Sequence, residues 1–174
     1  EDDYFTAVDD LNEHRDDVGA AHIGESSFAA GLFYSYLCIN REQLVDSLGG
    51  DESLARKAVA ALTEAVLKVA PSGKQNSYGS RAYASYVLAE SGDQQPRSLS
   101  ASFLKPIDVR QGDDFAASAV QALRAQAIRF DAVYETCADA LFELNALAND
   151  DTATQAPQSW TSGNLQELLA FVSE

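Results

Sequence analysis

Methionine is absent from all 174 residues, and the chain opens with Glu1 inside an acidic run. That combination predicts a processed chain or a piece of something longer. Cysteine is scarce. Cys38, in "LFYSYLCIN", and Cys137, in "AVYETCADAL", are the only two, and neither has metal-ligand spacing. His14 and His22 are the only histidines, too few to complete a zinc site, so no metal or other cofactor is expected. The apolar surroundings of both thiols predict reduced, buried core residues in a cytoplasmic protein. No apolar run approaches the roughly 18 residues of a membrane span, and no signal-peptide pattern is present, so no membrane partner is expected.

Positive charge is also in short supply, with 12 Lys and Arg against 27 Asp and Glu, a formal net charge of −15. Such a balance argues against indiscriminate binding to polyanions, but it leaves room for a local basic surface. Residues 1–17 carry eight acids against Arg15 alone, a net −7. Residues 68–110 reverse the sign: Lys68, Lys74, Arg81, Arg97, Lys105 and Arg110 face only Glu90, Asp93 and Asp108, a net +3. Any phosphate contact therefore belongs between 68 and 110.

What the chain does contain is core material. Hydrophobic residues make up 46%, with 8 Phe, 7 Tyr and 1 Trp, enough to exclude whole-chain disorder. Residues 1–25 are polar and acidic and read as an arm or loop, interrupted by "YFTAVDDL". The run "FAAGLFYSYLCI" (28–39) is apolar on both alternations, the pattern of a central strand. Asn40 caps a short helix, "REQLVDSL", ended by Gly49-Gly50. Asp51 caps a clearer one, with Leu54, Ala58, Ala61, Leu62, Ala65, Val66 and Val69 at helical spacing before Pro71.

"AYASYVL" (82–88) reads as a second strand, and 98–104 as one or two helical turns. From Asp113 or Asp114 a single long helix is expected to about Ala148, striped by Phe115, Ala119, Leu123, Phe130, Val133, Tyr134, Cys137, Leu141, Leu144 and Leu147. "NDDTATQAPQSWTSG" is expected to be a linker, and 164–172 a terminal helix. The order strand, helix, loop, strand, helix predicts an α+β fold built on a βαβ-like unit. Two strands make a poor sheet, so further strands are expected near 99–110 or outside this chain.

The chemistry candidates are few. "APSGKQNSYGSR" (70–81) has the ingredients of an anion nest: Gly73 for unusual dihedrals, Lys74 and Arg81 for charge, and Gln75, Asn76 and Ser77 for hydrogen bonds. It is not a Walker loop, which needs GxxxxGK[ST] directly before a helix. Tyr34, Tyr36, Tyr78, Tyr83 and Tyr86 have the chemistry to stack bases, yet strand tyrosines more often fill a sheet–helix interface. Tyr4-Phe5 is an aromatic pair in an acidic arm, a candidate partner anchor or wedge. His14 and His22 stand near many acids, but no GxSxG elbow and no DxDxDG loop accompanies them. No catalytic or metal-binding residue is assigned, and an enzyme is not expected.

Three strings carry a resemblance: "DYFTAVDDLNE" (3–13), "GAAHIGESSFAAGLFYSYLCINREQLVDSLGG" (19–50) and "VAPSGKQNSYGSRAYASYVL" (69–88). Together they resemble the repeated backbone subunit, CasC, of the type I-E CRISPR surveillance complex Cascade. The likeness is densest before residue 105. It implies a C-terminal portion of an open-hand subunit: a partial RNA-recognition-motif-like (ferredoxin-like) palm with a thumb segment and added C-terminal helices. The implied division is 1–25 thumb arm, 26–110 palm, 111–150 long helix on the palm, and 151–174 linker and terminal helix.

By position, Tyr4, Phe5 and Thr6 match the thumb tip that packs at the kinked nucleotide of each repeat, and Val8 follows on the same wedge. Tyr4 stands where the family has Trp, a smaller ring that weakens stacking. Lys74 and Gln75 match a Lys-Gln pair in the loop after the palm helix and, with Arg81, are implied to touch nucleic-acid backbone. The implied partners are guide RNA, target DNA, neighbouring copies of the same subunit and other Cascade subunits. The implied function is a non-catalytic scaffold that polymerises along the guide and displays it for pairing. The alternative is a protein-interaction domain or separated fragment that binds no nucleic acid and dimerises through an exposed sheet edge.

Overall fold

A computed structural model describes residues 2–8, 19–27, 30–108, 114–135, 137–147, 157 and 159–174, with the backbone alone described for 2–8, 19–26 and 77. The chain divides into two units, 1–34 and 35–174. In the first, β1 (Asp2–Val8) and β2 (Gly19–Ser27) form an antiparallel ladder, with Asp2 opposite Ser27 and Thr6 opposite Ile23. The register shifts before Val8, which lies opposite Gly19. The expected arm is therefore a two-stranded ribbon. Aromatic and β-branched residues at 4, 5, 6 and 8 supply the strand propensity that the flanking acids obscure.

In the second unit, α1 (Arg41–Ser47) and α2 (Glu52–Lys68) begin where expected. The Asn40 side chain accepts from Gln43 N–H and the Asp51 side chain from Leu54 N–H, each cap worth about 1 kcal/mol. Only Ala55 and Val59 of α2 are buried, and the helix packs against α5 (Leu165–Ser173). The expected stripe of α2 is instead substantially open to solvent at Leu54, Leu62 and Val66. A single helical turn, α3 (Gln75–Tyr78), follows.

The sheet contains β3 (Tyr86–Ser91), β4 (Ala140–Asn145) and β5 (Thr161–Ser162), in the order β3-β4-β5. β3 and β4 run antiparallel, Tyr86 opposite Asn145 and Ser91 opposite Ala140, whereas β4 and β5 run parallel. The architecture is α+β with a small mixed sheet. The strand missing from the sequence reading lies inside the expected long helix. That helix, α4, spans Phe115–Tyr134 and is stopped at Glu135, whose φ of 64° leaves the helical region. Leu141, Leu144 and Leu147 have helical spacing, but the segment from 140 to 145 is held by the β3 ladder.

Strand alternation then assigns two faces to β4. Leu141 packs in one cluster with Leu123 and Ala127 of α4, together with Leu99, Ala138 and Trp160. Glu143, on that same face, meets Arg124 of α4. Phe142 points the other way and meets Phe171 of α5, ring centroids 5.5 Å apart. The sheet is thus layered between α4 and α5. Leu168 of α5 is fully buried, worth about 2 kcal/mol. Asn164 and Glu167 close a reciprocal capping box at the start of α5.

Other expectations need correction. The segment 30–40 forms no strand, and Leu32, Phe33, Tyr34, Tyr36 and Leu37 are exposed, Phe33 at 87%. Apolar alternation cannot make a strand without a ladder partner. Cys38 is exposed for the same reason, and Cys137 is half-buried with its Sγ 3.4 Å from the Gln95 carbonyl; both thiols are free, but neither is a core residue. β3 starts four residues later than read, because Ala84 N–H is bonded to the Leu67 carbonyl. The 98–104 segment is a 3-10 turn at Ser100–Phe103, as anticipated. Trp160, placed in a linker by sequence, is only 7% exposed and belongs to the core.

The packing has two measurable consequences. Arg124 Nε lies 2.7 Å from Glu143 Oε1 with both side chains at most 5% exposed. Arg124→Met alone leaves an uncompensated buried carboxylate and should cost about 3–5 kcal/mol in denaturant unfolding, whereas adding Glu143→Leu should recover most of that loss. Tyr86 sits beside this pair, its ring 5.6 Å from the Arg124 guanidinium and its hydroxyl buried without a well-formed hydrogen bond. Burial first, then the nearby Glu143, push the phenol well above its ordinary value of 10.0. The folded chain keeps this phenol neutral, so its contribution is complete below pH 10 and is lost once the unfolded chain ionises above it. Stability should fall above that point by about 1.4 kcal/mol per pH unit, and Tyr86→Phe should flatten this alkaline limb.

Candidate nucleic-acid interface

The loop from α2 to β3 carries positive charge with no acidic residue near it in sequence. Between residues 65 and 89 there is no Asp or Glu. Lys68 is neutralised by Glu64, one helical turn back at 2.6 Å. After Pro71 the backbone turns at Lys74, which adopts a left-handed conformation (φ 53°, ψ 26°), a strained choice costing about 1–2 kcal/mol for a side chain with a Cβ. α3 then makes its one turn, with Tyr78 N–H bonded to the Lys74 carbonyl and Gly79 N–H to the Gln75 carbonyl, both at 3.0 Å. Gly79 closes it, also left-handed (φ 57°), where glycine carries no steric penalty.

Gln75 staples this loop from within. Its Nε2 donates to the Pro71 carbonyl, to the Ser80 carbonyl at 2.9 Å and to Ser80 Oγ at 3.4 Å. Its Oε1 is buried and accepts no hydrogen bond among the described residues. At the neck, Ala84 N–H donates to the Leu67 carbonyl at 2.9 Å. The loop is thus held at its neck and across its middle.

Lys74 and Arg81 are both exposed, and neither forms an ion pair among the described residues. Lys74 Nζ lies 5.8 Å from the centroid of the Tyr78 ring, a cation–π geometry. Tyr83 is 69% exposed against 38% for Tyr78. Of the tyrosines expected in strands, Tyr86 packs against the core cluster, whereas Tyr34 and Tyr36 are exposed.

The structure narrows the basic window. Arg97 is not available to phosphate: it donates to Glu90 and Asp131, each at 2.6 Å, and to the Ala127 carbonyl at 3.3 Å. Burial disfavours its charge, but the two carboxylates outweigh burial and raise the guanidinium above its ordinary value. Lys105 is exposed, and Arg110 lies outside the described residues. Tyr4, Phe5 and Thr6 occupy β1 opposite Glu25, Gly24 and Ile23, and Val8 opposite Gly19; their side chains lie outside the described residues. His14 also lies outside them. Among the described residues, no group of three or more His, Cys, Asp or Glu is placed to hold a metal ion, and no helix is long and apolar enough to cross a membrane.

Sequence reading located the loop but missed the role of Gln75, because an inward amide and an outward one look the same in a string. It named Tyr83 among the tyrosines able to stack bases but favoured a sheet–helix role for it, whereas the strand begins only at Tyr86 and Tyr83 is exposed.

With this geometry in place, the chain belongs to the CT1975-like protein family, which matches residues 1–170. No protein of curated function matches it. Two solved chains are similar over nearly all of it. One comes from a "CRISPR RNA-guided surveillance complex, pre-nicking", with 26% identity and a TM-score of 0.77 over 99% of this chain and 46% of that one. The other comes from a "CRISPR RNA-guided surveillance complex", with 27% identity and a TM-score of 0.79 over 98% of this chain and 64% of that one. The chain therefore spans about half to two thirds of the length of these solved relatives.

The stapled loop generates a direct expectation. Gln75→Ala removes its internal hydrogen bonds without touching the core, so trypsin cleavage after Lys74 and Arg81 should rise about five- to tenfold with the global unfolding midpoint unchanged.

Proposed function

We propose that this chain is part of a non-catalytic subunit of a CRISPR RNA-guided surveillance complex, acting in the cytoplasm. The observation that carries this reading is similarity over 98–99% of the chain, at 26–27% identity, to solved chains from complexes of that description. More specifically, we assign it the role of a CasC-type backbone subunit of Cascade that binds guide RNA and polymerises along it. In this assignment, the ribbon of β1 and β2 is the thumb, and Tyr4, Phe5, Thr6 and Val8 form the wedge that imposes a register on the bases. The segment 26–110 is the partial RNA-recognition-motif-like palm, followed by the helical segment 111–150 and the terminal segment 151–174. Lys74 and Arg81 touch the phosphates of guide RNA or of the target DNA paired to it, and Gln75 holds the loop that presents them.

The loop's chemistry supports the reading. Two exposed cations without acidic neighbours can neutralise phosphates even in a chain of net charge −15. Backbone contact of this kind positions a nucleic acid without reading its sequence, as a scaffold requires when base pairing supplies specificity.

A second reading rests on a separate observation. Within the larger unit, Leu54, Leu62 and Val66 of α2 and Val69 just after it leave large apolar side chains exposed. Such surface fits a protein-interaction module that binds no nucleic acid.

Salt separates the two. Binding of labelled oligouridine should weaken as salt rises, and the double variant Lys74→Ala/Arg81→Ala should reduce the slope of log affinity against log salt by about 1.4, or about 0.7 for each phosphate no longer neutralised. A chain that self-associates but shows no oligouridine binding at low salt would favour the interaction module.

A further inference from the structure

The loop that presents Lys74 and Arg81 leads directly into an aromatic ring that the sheet–helix interface does not absorb. Tyr83 is 69% exposed, while Tyr86 three residues on is drawn into the core. The backbone on either side of Tyr83 is braced. The next residue, Ala84, is pinned through its N–H to the Leu67 carbonyl at 2.9 Å, and the Gln75 staple holds Ser80 on the other side. A large ring on a braced backbone loses little further conformational freedom when it binds something.

The chemistry around the ring selects the class of ligand. Arg81 lies two residues before Tyr83, a backbone span of at most about 7 Å, so a phosphate on the guanidinium and a base on the ring can belong to the same or adjacent nucleotides. No acidic residue occurs between 65 and 89 to repel a polyanion. Tyr78 is less suited to this role, because it is only 38% exposed and already has the Lys74 ammonium 5.8 Å from its ring centroid. Lys74 and Arg81 supply charge and Tyr83 a free π-face, the combination that binds unpaired strands with little sequence preference. A base can stack on that ring only when it is not stacked between its own neighbours, so a duplex cannot use it.

We propose that Tyr83 is a base-stacking residue, and that with Lys74 and Arg81 it makes this loop a binding element for single-stranded nucleic acid. The inference rests on the nucleic-acid reading of the same loop and adds to it a ring, a strandedness preference and a contribution that survives salt.

The test uses the full chain with labelled oligouridine, labelled oligothymidine and a duplex of equal length. Tyr83→Ala should weaken binding to both single strands about tenfold and leave the salt slope unchanged, while Tyr83→Phe, which keeps the ring, should bind within about twofold of the parent. Duplex binding should be indifferent to either change. Because Tyr83 is exposed, both variants should keep the parent's unfolding midpoint, measured alongside. If Tyr83→Ala binds single strands as the parent does while Lys74→Ala/Arg81→Ala lowers the salt slope, stacking is overturned and the phosphate reading stands. An equal loss on duplex and single strand would also overturn stacking. If the parent binds none of the three probes at low salt, both readings fall together.

Discussion

The arrangement of the larger unit depends on a charge that has nowhere else to go. Glu143 projects from the middle strand of the sheet toward α4, where water cannot reach it, and Arg124 is the cation that compensates it at 2.7 Å. A buried carboxylate is tolerated only with such a partner, so α4 has little freedom to slide or rotate over the sheet. Replacing the pair with apolar residues can preserve stability, so its particular contribution is to register. The apolar cluster of Leu99, Leu123, Ala127, Ala138, Leu141 and Trp160 can fill space in several ways, whereas an ion pair with one partner on each element has far fewer.

A second ionic cluster extends the same constraint toward the loops. Arg97 ties Glu90 on β3 to Asp131 near the end of α4. The helix is therefore clamped to β4 at Arg124 and to β3 at Asp131, just before Glu135 turns the chain back into the sheet. This clamp also removes Arg97 from the basic surface. With Lys68 held by Glu64, Lys74 and Arg81 remain exposed on the loop between α2 and β3, with no acidic residue near them in sequence. The internal packing and the proposed interface are linked in this way: the acids that hold Arg97 and Lys68 remove them from the basic surface and leave Lys74 and Arg81 without an ion pair among the described residues.

Local signals in the sequence carried some elements well. Asn40, Asp51 and Asn164 are caps whose side chains reach the first free N–H groups of the next turn, a relation contained within four residues. The helices after Asn40 and Asp51 were legible for that reason, whereas the sequence reading placed Asn164 inside the terminal helix rather than at its cap. The basic loop was legible from composition, because Pro71, Gly73 and the absence of acids mark it without reference to anything distant. Strands were legible poorly. "FAAGLFYSYLCI" has strong strand propensity and forms no strand at 30–39, whereas "ALFELN" resembles a helix continuing from α4 and forms the central strand.

Helices and caps satisfy their hydrogen bonds within a few residues, so the sequence by itself determined where α1, α2 and α5 begin, and it determined the composition of the loop at 71–81. A strand draws its hydrogen bonds from residues elsewhere in the chain, so only the tertiary structure decided that 140–145 would pair with 86–91 and that 30–40 would not pair among the described residues. Burial depends on the same distant partners. Trp160, Glu143 and Arg124 became core, and Phe33 and Tyr83 became surface, because of which elements came to lie beside them. The side chains alone did not decide it.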